Sequence, residues 1–171
     1  MAEHMQIDQI NRFDQDQFVD RLGFVFEQSP WIARDAWHQR PFDDRRDLHQ
    51  KLCAVVQHAS TAQQIDLIRA HPDLAGKAAI ARELTAESTR EQSSAGLNRL
   101  SSDEFARFTG LNDGYRDRFG FRFVICVREH TKNSILAAFE QRLTHERDAE
   151  IATALAEIAK IADLRLRDAV A

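Results

Sequence analysis

Apolar residues recur every three or four positions through most of this chain, and that spacing commits it to packed helices rather than strands. Only 3 prolines and 6 glycines interrupt 171 residues, so the repeats run long. The expected fold class is all-α, a single compact helical domain over residues 1–171, with 1–12 a loosely ordered N-terminal segment. After Asp14 a helix would place Phe18, Leu22, Val25 and Phe26 on one face. Ser29-Pro30 reads as an N-cap followed by proline in the first helical position, opening a short segment with Trp31 and Trp37. From about Asp44, Leu48, Leu52, Val55, Val56 and Ala59 repeat at three and four. Ser60 can cap the next helix, which carries Ile65, Leu67 and Ile68. Pro72 disfavours helical geometry at the residue before it, so this helix is expected to stop near Ala70 with His71 at its boundary.

Ser101 and Glu104 form a capping-box pattern that opens a helix running roughly from 102 to 118. Two more helices carry Ile135, Leu136, Phe139 and Leu143, then Ile151, Leu155, Ile158, Ala162 and Leu166. One stretch breaks the periodicity: Phe119, Phe121, Phe123, Ile125 and Val127 alternate at period two. A lone strand has nothing to pair with among helices, so the stretch reads as a buried extended connector. A helix beginning near Phe123 is the alternative.

Composition then excludes several function classes. With 23 basic against 27 acidic residues the formal net charge is -4, and no basic stripe offers a nucleic-acid footprint. Arg116, Arg118, Arg165 and Arg167 are diluted by Asp113, Asp117, Asp163 and Asp168. The first thirty residues hold Glu3, Asp8, Asp14, Asp16 and Asp20 and no apolar run of signal-peptide length. No stretch approaches the roughly 18 apolar residues of a membrane span. The expected location is cytoplasmic, with neither membrane nor nucleic acid as a partner. Cys53 and Cys126 form no Cys-x-x-Cys pair, which fits a reducing compartment.

Metal and nucleotide chemistry leave no local trace either. His4, His38, His49, His58, His71, His130 and His145 contain no pair three or four apart on a helix, so the spacing of paired metal ligands is missing. Gly110, Gly114 and Gly120 match neither phosphate-loop nor dinucleotide spacing, and there is no Gly-x-Ser-x-Gly elbow. What remains is polar punctuation, His71-Pro72-Asp73-Leu74-Ala75-Gly76-Lys77 and then Ser88-Thr89-Arg90-Glu91-Gln92-Ser93-Ser94-Ala95-Gly96-Leu97.

Each polar residue there has two readings. A histidine beside a proline at a helix end sits where the backbone is fixed, and its side-chain type is the natural proton-transfer group at neutral pH. It could equally be a surface histidine complementing the helix dipole. Ser88 and Glu91 read as a capping box, or as a hydroxyl and a carboxylate gripping a small polar ligand. Arg165 is either a solvated charge at the last helix end or an inward fork matching a carboxylate or a planar urea-like group. Cys126, between Ile125 and Val127, reads as packing.

Taken in order, His71-Pro72-x-Leu74, Ser88-x-x-Glu91-Gln92-x-x-Ala95-Gly96-Leu97, Tyr115-Arg116-x-Arg118-Phe119-Gly120-Phe121 and Leu164-Arg165-Leu166 resemble the 2-oxo-4-hydroxy-4-carboxy-5-ureidoimidazoline (OHCU) decarboxylase family. Phe26-Glu27-x-Ser29-Pro30-Trp31 and Arg40-Pro41-Phe42 extend the resemblance over about residues 13 to 168. It implies an all-helical enzyme of urate degradation that uses no cofactor or metal, yields (S)-allantoin and CO₂, and forms a homodimer. By the same resemblance His71, Glu91 and Arg165 are catalytic. Pro72, Ser88, Gln92 and Arg165 then bind substrate together with the backbone of Phe123, Val124 and Ile125. One departure stands out, because Arg122 occupies the place where the family commonly has proline in Phe-Gly-Phe-Pro-Phe. Rival expectations are a helical enzyme of the same fold acting on another ureide, and a helical interaction module without chemistry.

Overall fold

Side-chain caps decide where most of the expected helices begin. The structure, a computed structural model, describes residues 4–75 and 84–171, so Gly76 and Lys77 lie outside the described residues. Within that range the α-helices are α1 (Ile7–Ile10), α2 (Gln15–Leu22), α3 (Trp31–Ala36), α4 (Arg45–His58), α5 (Thr61–Ala70), α6 (Ala86–Ser94), α7 (Ser102–Phe119), α8 (Lys132–Arg142) and α9 (Arg147–Ala169). Short 3-10 turns occupy Gly23–Val25, Trp37–Gln39 and Val127–Glu129. Among the described residues no helix is long and apolar enough to cross a membrane. Contacts group the chain into two units, Met1–Leu67 with Ala159–Ala171, and Ile68–Ile158.

In the first unit, Asp14 and Gln17 form a reciprocal capping box at the start of α2, and Asp44 caps α4 by accepting from the Asp47 amide. Phe18, Leu22, Val25 and Phe26 are all buried, as their spacing predicts, and Phe18 stacks on Phe42 with ring centroids 5.7 Å apart. Helix α3 begins one residue later than expected, at Trp31, with Pro30 at the cap. The Ser29 hydroxyl donates to the Glu27 carbonyl instead of capping, and the Ser29 carbonyl accepts from the Ile32 amide. Where a loosely ordered start is expected, Ile10 is fully buried and Met5 pairs with the end of α9. The Met5 amide donates to the Ala169 carbonyl at 2.9 Å, and the Ala171 amide donates to the Met5 carbonyl at 3.0 Å.

The core of the second unit is aromatic. Tyr115, Phe119, Phe121, Phe123 and Phe139 pack edge to face and stacked, with Phe123 and Phe139 centroids 3.6 Å apart. Ser101 and Glu104 cap α7 reciprocally, as their spacing predicts, and Gly120 ends it in the left-handed conformation at φ 78°. The period-two stretch is the extended connector, not a helix from Phe123: residues 122–126 carry no regular structure. Its alternation is nevertheless incomplete, since Val124 and Cys126 are buried along with Phe121, Phe123 and Ile125. A segment enclosed on both sides reads in sequence as more apolar than a half-exposed strand, and Arg122 is its one partly exposed member.

Candidate active site

Helix α5 ends at Ala70, where Pro72 requires it to, and the His71 amide makes a last turn-closing bond to the Ile68 carbonyl at 3.2 Å. His71 is 5% exposed, so the reading of it as a surface histidine falls. The loop behind it, residues 71–75, is held by side chains from two helices and the connector. Gln92 spans the loop, its Oε1 accepting from the Ala75 amide at 3.0 Å and its Nε2 donating to the Asp73 carbonyl at 3.2 Å. Asn112 Nδ2 donates to the Leu74 carbonyl at 2.8 Å, and Arg122 Nη1 donates to the His71 carbonyl at 3.0 Å. Arg116 pairs with the Asp73 carboxylate. A loop whose carbonyls at 71, 73 and 74 are each met by a side-chain donor has little freedom to move the ring it carries.

The capping-box reading of Ser88 and Glu91 is corrected by where α6 starts. Its cap is Thr85, whose Oγ1 accepts from the Ser88 amide at 3.2 Å. Ser88 therefore lies one turn inside the helix, where its amide is already satisfied, and Glu91 has no cap to complete. Ser88, Glu91 and Gln92 instead share one face at positions i, i+3 and i+4, with Ser88 and Gln92 buried and Glu91 half-buried. The far end of α6 closes as Ala95-Gly96-Leu97 suggests: Gly96 adopts φ 76° and the Leu97 amide returns to the Gln92 carbonyl at 3.0 Å.

The connector is fixed by charged side chains. Arg142 Nη1 donates to the Val124 carbonyl at 2.7 Å, and Glu157 Oε2 accepts from the Cys126 amide at 2.9 Å. Arg142 is itself buried, its Nε 2.9 Å from Glu150 Oε2 and its guanidinium 4.3 Å above the Phe123 ring. Glu150, fully buried, also accepts from the Tyr115 hydroxyl and lies 2.9 Å from His145 Nδ1. Burial first, and then the Glu150 hydrogen bond, push the Tyr115 phenol well above its usual range, so it remains a donor. Phe123, Val124 and Ile125 thus present a backbone whose path is set from behind.

In the first unit Arg165 points inward, which overturns the solvated-charge reading. It is 3% exposed, its Nη2 donates to Glu27 Oε2 at 2.9 Å, and its Nη1 donates to the Phe24 carbonyl at 3.1 Å. Glu27, 2% exposed, holds the guanidinium orientation with a charge-assisted bond.

The sequence profile of the OHCU decarboxylase family matches residues 11–167. The chain belongs to that family. It is 42% identical over 164 residues to the 2-oxo-4-hydroxy-4-carboxy-5-ureidoimidazoline decarboxylase of Halalkalicoccus jeotgali, covering 96% of this chain and 91% of that protein. The like-named protein of Haloferax volcanii is also 42% identical over 164 residues, at 96% and 95% coverage. Among solved structures, the crystal structure of an (S)-allantoin synthase aligns with TM-score 0.77 at 27% identity, over 97% of this chain and 54% of that one. The chain thus spans about half the length of that synthase.

For an OHCU decarboxylase family member, the residues singled out in sequence divide cleanly. His71, Pro72, Ser88, Glu91, Gln92 and Phe123 to Ile125 belong to the second unit, and Arg165 belongs to the first. Sequence reasoning missed the supports. Asn112 lies on a helix face with no local mark of function, Arg116 stands in a quoted motif without any sign that it would hold Asp73, and Arg142 and Glu150 stand eight residues apart across a helix break. Glu27 sits within a quoted motif, yet its partner is 138 positions away, beyond any spacing rule.

Proposed function

We propose that this chain catalyses the decarboxylation of 2-oxo-4-hydroxy-4-carboxy-5-ureidoimidazoline to (S)-allantoin and CO₂ in urate degradation. The proposal assigns the chemistry to His71, Glu91 and Arg165. The observation that carries the site assignment is the burial of His71 on a loop braced at residues 71, 73, 74 and 75, a rigidity that a spectator histidine does not need. Membership of the family carries the choice of reaction.

The substrate's own structure supplies the electron sink. Its carboxylate is attached to a carbon that bears a hydroxyl and adjoins a C=N group. When that carbon–carbon bond breaks, the electron pair passes into the C=N bond and its nitrogen takes a proton. The enol so formed becomes allantoin when the hydroxyl gives up its proton and the neighbouring, ureido-bearing carbon gains one. The protein has to orient the carboxylate out of the plane of the sink and deliver the last proton to one face. In this assignment His71 performs that proton transfer, Glu91 and Ser88 accept from ureido and ring NH groups, and Arg165 anchors a carbonyl or the carboxylate. Gln92 is mainly a brace, and the second hydrogen of its Nε2 is what it offers a ligand. Pro72 sets the ring's backbone, and residues 123–125 offer backbone groups to the substrate. A homodimer, by analogy with the family, and a cytoplasmic location complete the proposal; sedimentation tests the first and cell fractionation the second.

The substrate is made in situ from urate with urate oxidase and 5-hydroxyisourate hydrolase, and allantoin is followed by circular dichroism. Rapid appearance of the (S) signal is expected, and His71→Asn should slow it by about 10²–10⁴, the range of a positioned acid or base. Slow racemic allantoin at the same rate with and without the protein would refute the reading.

A further inference from the structure

We propose that Arg122 is a positioning residue for His71, holding the catalytic loop from the connector side; the inference rests on the function proposed above. The last carbonyls of a helix lack intrahelical donors. At the end of α5 a single guanidinium group meets them: Arg122 Nη1 donates to the carbonyls of Arg69 at 3.2 Å and His71 at 3.0 Å. The same guanidinium places Nε 3.7 Å from Asp73 Oδ1, so it touches alternate residues on both sides of the His71 backbone. Arg116 holds the other oxygen of Asp73, which keeps that carboxylate turned toward both cations. The clasp is reciprocal, because Arg69 Nε donates in return to the Gly120 carbonyl at 3.0 Å.

A positive charge at a helix C-terminus also complements the dipole. The side chain is 40% exposed, so screening keeps its part in global stability small. Its effect is geometric. The planar fork donates to two carbonyls while its charge stands beside the Asp73 carboxylate, whereas a flexible ammonium holds them less well and a proline, the residue common at this place in the motif quoted above, offers no donor at all. Because an error of about 1 Å in a catalytic group costs on the order of a hundredfold in rate, a loop pinned by Arg122 is worth a measurable part of turnover.

The test compares wild type, Arg122→Gln and Arg122→Lys in the coupled allantoin assay and in ¹H–¹⁵N spectra of the labelled protein. Arg122→Gln is expected to lower kcat about tenfold with KM within about twofold, a fraction of the misplacement cost above, while the amide signals of His71 and Asp73 shift. Arg122→Lys should recover part of kcat and move those signals back toward wild type. Wild-type kcat in Arg122→Gln, or unmoved His71 and Asp73 amides, would overturn the inference. So would a loss of kcat that Lys does not relieve and that matches a general loss of folded protein. Failure of the wild type to form (S)-allantoin would refute the proposed function instead, and the two amide signals alone would then decide whether Arg122 holds the loop.

Discussion

Replacing Glu150 by Gln tests whether the connector is held in place by a buried charge balance. Glu150 is fully buried and faces Arg142, whose side chain is 7% exposed, so the substitution leaves a guanidinium in the core with no carboxylate beside it. Removing one member of a buried pair costs about 3–5 kcal/mol. The amide oxygen of Gln can still accept from Tyr115 or Arg142, and the Val124 carbonyl and the Phe123 ring still face the guanidinium, which favours the lower end of that range. At about 2–4 °C per kcal/mol for a chain of this length, the unfolding midpoint should fall by roughly 6–12 °C. Far-UV circular dichroism and calorimetry at neutral pH measure it. A second arm adds Arg142→Met, and the double variant should be less destabilised than the two single losses added together, because the orphaned charge has gone. A midpoint for Glu150→Gln within about 2 °C of wild type, on the same scale, would refute the argument that Glu150 compensates Arg142.

The other predictions concern single contacts. Glu91→Gln should lower kcat about a hundredfold, the scale for losing one charged contact to reacting groups, in protein that is still folded at the assay temperature. Thr85→Ala, which removes the cap of α6, should cost about 1 kcal/mol of stability, and urea unfolding run on both variants separates the two roles. Arg165→Lys cannot hold both Glu27 and the Phe24 carbonyl with one planar fork, so it should lose about 1.5–3 kcal/mol in urea unfolding together with turnover. At Cys53, burial first and then the charge of Asp163 push the thiol up from 9.0 to about 11. The folded state then keeps a proton that the unfolded chain has lost. The resulting stability is complete below about pH 9 and disappears as pH rises through 11, so Cys53→Ala should flatten the alkaline fall in urea midpoints across that window.

The helices were legible because their determinants are local. Asp14, Asp44, Ser101 and Pro72 act within four residues, and the apolar repeats they bound need no knowledge of the partner surface. Helix α3 shows the limit. Ser29 has the right chemistry for a cap, but its hydroxyl turns to the Glu27 carbonyl, a choice set by how residues 26–29 pack. Ser88 and Glu91 mislead as a cap for a related reason, since Thr85 three residues earlier offers an equivalent hydroxyl and the sequence alone does not rank them. In the candidate site the groups with a chemical signature stood out: a histidine before a proline and an arginine beside leucines. Their supports were not legible as supports: Gln92 reads as a substrate ligand and Arg116 only as part of a motif, while Asn112 carries no mark, because each takes its role from the backbone or the Asp73 carboxylate of a distant loop. Arg122 was visible as a departure from the family pattern, and its meaning emerged only with the positions of Arg69, His71 and Asp73.

The pairing of Met5 with Val170 gives the first unit a folding cost that its helices do not share. The bridge joins residues 165 positions apart, so it carries the largest loop-closure entropy among the described contacts and offsets it with a few backbone bonds, the burial of the Val170 side chain and the Arg45 bond to the Val170 carbonyl at 3.1 Å. A contact of such high order forms after the local helices and opens before them. The amides of Met5 and Ala171 should therefore exchange with solvent by local opening, far sooner than those inside α4 or α7, with the loop at residues 71–75 still intact while the bridge opens and closes.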